Sequence, residues 1–118
     1  MFTERLQKVT DRIEGAMALS LIARDGIAVE TYAKEESLDL ELLAAELMSQ
    51  VRAVSQNNQE LSVGDVKHFA VTTDRYILMV GSLTDEYFLL LVLAADANAG
   101  RARFELRRSV LLFEEDLI

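Results

Sequence analysis

The sequence predicts an α+β fold with the element order α-β-β-α-β-β-β-α and a five-stranded antiparallel sheet. Three observations predict it. Apolar residues recur at helical spacing in three separate stretches and as short strand-like runs between them. Tight-turn signals separate neighbouring runs, at Asp25-Gly26, Thr73-Asp74 and Thr84-Asp85. Short connections of this kind join antiparallel strands. The run from Tyr87 to Ala95 is apolar on both faces, as a central strand covered on both sides must be. The long second helix therefore covers one face of the sheet, and the first and last helices cover the other.

The first helix is expected over 4–14. Phe2, Leu6, Val9 and Ile13 share one face, Thr3 is the expected cap, Glu4 suits the first turn, and Gly15 ends the helix. Strands are expected over 16–23 and 27–34, joined by Arg24-Asp25-Gly26, where Gly supplies a positive φ at little cost. The longest helix is expected over 39–57. Its stripe is Leu40, Leu43, Leu47, Val51 and Val54, with Ser37 or Asp39 as its cap. The polar stretch Gln56–Glu60 reads as punctuation. Three further strands are expected over 64–72, 75–82 and 87–95. The last helix is expected over 98–115, with Ala102, Leu106, Val110, Phe113 and Leu117 as its stripe and Asp96 as its cap.

Composition limits function. The 118 residues suit one domain spanning 1–118, since two independent cores would be hard to build from them. There is no Cys, which removes disulfides, thiol nucleophiles and Cys-based metal sites. A formal net charge of −8 argues against nucleic-acid binding and against docking on acidic lipid. The longest apolar run, Tyr87–Ala95, is well short of the ~20 residues of a membrane helix. The N-terminus has no signal-peptide core, so a cytoplasmic location is expected.

Little in the chain points to chemistry of its own. His68 is the sole histidine, and without a second His or a Cys no zinc set assembles around it. The carboxylate pairs Glu35-Glu36, Asp85-Glu86 and Glu114-Glu115 fall in turns or at the chain end and read as solvated charge. The stretch Ala95–Arg101 enters a helix but matches no phosphate-binding loop. Catalytic residues, cofactor and metal are all expected to be absent. Arg101, Arg103, Arg107 and Arg108 hold a third of the 12 basic residues. They read first as a solvated face on which Glu105 pairs with Arg101 or Arg108, and otherwise as a contact patch for an acidic partner.

Two segments carry a family resemblance. Gly15-Ala16-Met17-Ala18-Leu19-Ser20-Leu21-Ile22-Ala23-Arg24-Asp25-Gly26-Ile27 resembles the strand–Asp-Gly–strand opening of the Roadblock / dynein-light-chain family. Val92 to Arg108, with its Asn98-Ala99-Gly100 turn and Arg-rich start, resembles that family's passage from last strand to last helix. Bacterial MglB-type members are the nearest match. The resemblance implies a profilin-like layered fold and a two-fold homodimer joined through the third strand, with the second helices side by side. It also implies a small Ras-like GTPase as partner. MglB-type members accelerate GTP hydrolysis without an arginine finger; other members only scaffold. The expected activity is therefore GTPase activation by a chain that is itself no enzyme, with scaffolding or small-ligand sensing as alternatives.

Helical geometry places the candidate sites. The strand Val66-Lys67-His68-Phe69-Ala70-Val71 has one formal charge and no Pro, so it is a candidate edge for pairing with a second copy. Ala44 and Met48 widen the apolar stripe of the second helix to the side where a partner helix could lie. The opposite side carries Leu42, Ala45, Ser49 and Ala53, flanked by Arg52 and Gln56. A solvated face is usually rich in Lys and Glu. This small, partly apolar one is the expected GTPase platform.

Overall fold

The computed structural model describes residues 2–35 and 38–117, with side chains up to 113. Its elements are α1 (Phe2–Arg12), β1 (Ala16–Ala23), β2 (Ala28–Ala33), α2 (Leu40–Leu61), β3 (His68–Thr72), β4 (Tyr76–Ser82), β5 (Tyr87–Ala94) and α3 (Ala99–Leu117). The order and the five-stranded antiparallel sheet are those the sequence predicts. The strands lie in the order β2-β1-β5-β4-β3, so β5 is central and β2 and β3 are the edges.

Alternation along β5 builds two cores. Leu89, Leu91 and Leu93 join Leu6 and Val9 of α1, Ile13 just after it, and Ala102, Leu106 and Phe113 of α3. Phe88, Leu90 and Val92 join Ala44, Leu47, Met48 and Val51 of α2. Register ties the centre together: Leu91 faces Leu19 on β1 and Met79 on β4. The ring of Phe2 stacks on that of Phe113 at 5.9 Å, which closes the α1–α3 layer.

The turns are held by the side chains that marked them. Gly26 has φ +94°, and the Asp25 carboxylate accepts from the Ile27 N–H at 3.1 Å. The hydroxyl oxygen of Thr73 accepts from the N–H groups of Arg75 and Tyr76, and that of Thr84 from those of Glu86 and Tyr87.

Several boundaries differ from expectation. Thr3 lies inside α1, and its hydroxyl donates to Glu30 at 3.1 Å instead of capping the helix. Asp39 caps α2, accepting from the Leu42 N–H at 3.1 Å, while Ser37 lies outside the described residues, as does Glu36. The polar stretch 56–60 continues α2 to Leu61: Gln56, Gln59 and Glu60 are good helix formers, and the helix runs on through the weaker Asn57 and Asn58. Ser62, left-handed at φ 57°, ends the helix and delays β3 to His68. Asn98, not Asp96, caps α3, accepting from the Arg101 N–H at 3.0 Å.

The buried face of α2 is also rotated. Ala44, Leu47, Met48, Val51 and Ser55 are buried, whereas Leu40 and Leu43 are half-buried and Val54 is exposed. The helix sits close against the β1–β2 turn: a Cβ at Gly26 would lie 3.1 Å from the Cα of Ala45. Small Ala44 faces the sheet in place of larger Leu43.

Gly15 gives the sharpest test of this packing. It has φ +86°, and a Cβ there would lie 2.6 Å from the Cβ of Ala97. Gly15→Ala should cost about 2–5 kcal/mol, the left-handed backbone and the overpacking together. Gly64→Ala, at φ +96° with no atom within 4 Å, should cost only the backbone part, about 1–2 kcal/mol. Thermal melts of both variants check this; equal losses would mean that the α1–β1 turn does not press on Ala97.

Candidate functional site

The outward face of α2 is formed by the residues the sequence nominates. Leu42, Ala45, Ser49, Arg52, Ala53 and Gln56 are all exposed, Leu42 to 59%. Leu42, Ser49 and Ala53 project away from the sheet, opposite Ala44, Leu47 and Val51 on a 3.6-residue repeat, while Ala45 and Arg52 lie on the flank beside the β1–β2 turn. Arg52 is not a free cation. Its Nη1 donates to the carbonyl of Arg24 at 2.7 Å, pinning α2 to the β1–β2 turn. The remaining surface mixes Leu42 and small residues with exposed Glu46, which stands between Leu42 and Ser49.

β3 is an edge. It pairs with β4 alone, Phe69 opposite Val80, so one side of its backbone is open. Val66, His68 and Phe69 are half-buried, while Lys67 and Ala70 are exposed. Ala44 and Met48, nominated for the dimer interface, need correction. Both are 0% exposed within this chain, packed between α2 and the sheet, and offer no surface to a second copy. The flank of α2 turned away from the β1–β2 turn leaves Leu43 half-buried and Val54 exposed. Their core-like spacing hid them from the sequence reading.

The structure also brings together residues that the sequence left apart. Lys67 and His68 face Arg103 and Arg107 of α3 across a groove of about 410 Å³, which Ser82 and Leu106 also line. No local spacing could have joined them, because the two segments meet only through the β3–β4–α3 layering. The arginine cluster splits in two. Arg101 Nε and Arg108 Nη1 lie 3.9 and 3.8 Å from Oε1 of Glu105, whose side chain is buried. Arg103 and Arg107 turn to the groove.

His68 has its pKa lowered from 6.5 by burial, then by the positive charges of Arg103 and Arg107. Among the described residues, no group of three or more His, Asp or Glu is placed to hold a metal, and no helix is long and apolar enough to cross a membrane. The lowered pKa fixes the sign of a pH effect. Above pH 6.5 the residue is neutral in both the folded and unfolded chain. Below it, the unfolded chain takes the proton first, so folding stability falls with pH until native His68 is protonated too. An NMR titration of this single imidazole should give a midpoint below 6.5 that rises in Arg107→Gln. A wild-type midpoint at or above 6.5 would contradict the placement.

No family model matches the sequence, and no curated protein matches it. Solved structures do. A Roadblock/LC7 domain from Streptomyces avermitilis superposes with a TM-score of 0.86 at 16% identity, covering 98% of this chain and 96% of its own. The gliding protein MglB from Thermus thermophilus gives 0.83 at 20% identity, over 96% of this chain and 88% of its own. MglC from Myxococcus xanthus gives 0.72 at 32% identity, over 98% of both chains. The first two establish the fold, and the third adds a sequence relationship that runs end to end: the chain belongs to the Roadblock/LC7 family.

Proposed function

We propose that this protein is a homodimeric regulator of a small Ras-like GTPase, built as one domain, which promotes GTP hydrolysis without carrying chemistry of its own. The observation that supports it most is the outward face of α2. Leu42, Ala45, Ser49 and Ala53, with Glu46 among them and Gln56 at one side, form an exposed surface that supports the docking of another globular protein. An exposed, partly apolar helix face of this kind is a feature of binding surfaces rather than of solvated ones.

The mechanism this surface favours is positional. An arginine finger needs a free guanidinium that reaches the transferring phosphate. Arg52, the arginine on this face, is committed to the carbonyl of Arg24. Docking would therefore act by holding the GTPase's own residues in their hydrolytic arrangement, the preorganisation that dominates phosphoryl transfer. In the dimer, two β3 edges join, Val66–Ala70 of one copy against the same strand of the other. Leu43 and Val54 accompany them on α2, so that two platforms lie side by side.

Single-turnover GTP hydrolysis by a candidate GTPase, with and without this protein, tests the reading. Faster hydrolysis is expected. Nucleotide-dependent binding with unchanged turnover would establish a scaffold instead, and no binding would refute both. Ala53→Glu adds bulk and charge at an exposed position without touching the core. It should weaken the complex more than about tenfold, or about 1.4 kcal/mol, while the melting temperature and the dimer seen by sedimentation stay unchanged.

A further inference from the structure

The face of the molecule opposite α2 carries a second surface with a different chemistry. Along α3, Arg103, Arg107 and Leu111 stand at i, i+4 and i+8, a single ridge on the exposed side of the helix. On one side of the ridge is the groove shared with Lys67 and His68. On the other is a shallower one flanked by Phe104 and Arg108. Phe104 and Leu111 are 60% and 65% exposed.

The charge here runs against the rest of the chain. The protein has 20 acidic and 12 basic residues, yet the ridge and its groove present Lys67, Arg103 and Arg107 with no carboxylate among the lining residues. Glu105, the acidic residue within this stretch of α3, is buried and turned to Arg101 and Arg108. The side chains of Lys67, Arg103 and Arg107 make no ion pair or hydrogen bond among the described residues. Gathering unpaired cations costs self-repulsion, which an incoming anion relieves. The fields of both guanidinium groups are felt at His68.

We propose that the Arg103–Arg107–Leu111 ridge, with Lys67 and His68 across the groove, docks an acidic amphipathic segment of a partner protein. Guanidinium forks match carboxylates in a bidentate geometry that Lys alone does not give. Phe104 and Leu111 beside them supply the apolar contact that a small anion would not use. The surface is long, open and set on a helix, which suits a peptide segment laid along it better than an enclosed small molecule. The net charge of −8 repels a long polyanion such as nucleic acid, whereas a short acidic segment meets the local cations at close range. The site lies on the α1/α3 side of the sheet and needs nothing from the α2 platform; it shares Lys67 and His68 with the proposed dimer edge, where pairing would use the strand backbone and the groove their side chains.

The test uses the full chain and a fluorescein-labelled synthetic peptide of about four helical turns, with Glu and Leu on one face. Anisotropy should report binding that salt weakens. The same peptide with Lys for Glu should not bind. Arg103→Glu with Arg107→Glu should reduce affinity at least tenfold, and Arg103→Gln with Arg107→Gln repeats the test if charge reversal prevents folding. Bound peptide should raise the His68 pKa, because a nearby carboxylate favours the imidazolium. No binding, or equal binding by the arginine variants or the Lys peptide, would overturn the proposal. So would inorganic phosphate at equal concentration producing the same His68 shift and displacing the peptide, since the site would then be one for a small anion.

Discussion

Everything in this fold depends on β5 being covered on both sides. Leu89, Leu90, Leu91 and Leu93 are fully buried, and their side chains point alternately to the two helical layers. Truncating one such leucine costs about 2–5 kcal/mol, a large part of the stability of a domain this size. Because the strand must be buried twice, α2 cannot share a layer with α1 and α3. The chain is thereby obliged to present two helical faces that never meet. The central position also leaves β2 and β3 at the margins, and β3 has an open backbone edge.

The separation of faces has a functional meaning. The outer face of α2 mixes small residues with Leu42 and Glu46 and is pinned by Arg52 to the β1–β2 turn. The outer face of α3 is ridged, cationic and flanked by Phe104 and Leu111. The two surfaces differ in chemistry, as do the two partners proposed for them. They lie on opposite sides of the sheet, so the two proposed partners would not occlude each other.

Much of this was legible from the residues. Strand alternation, the Asp25-Gly26 turn and the apolar run at 87–95 led to the right topology, because each depends on local periodicity or local turn chemistry. What escaped notice depends on tertiary packing. The rotation of α2 follows from how closely Gly26 lets the helix approach, a contact across the chain that no helical wheel contains. That rotation buried Ala44 and Met48 and left Leu43 and Val54 partly exposed. The pairing of Lys67 and His68 with Arg103 and Arg107 is likewise a product of layering. The caps at Asp39 and Asn98 illustrate a smaller ambiguity: several Asx and Ser residues precede each helix, and backbone direction decides which one caps it.

The central claim is that the α2 face, rather than the α3 face, receives a small GTPase. Amide hydrogen exchange of this protein, alone and with a GTP-loaded Ras-like GTPase, tests it most directly. The account predicts that protection appears across α2 between Leu42 and Gln56 and leaves α3 unchanged. Protection centred on Arg103 to Leu111, with α2 exchanging as freely as before, would contradict it.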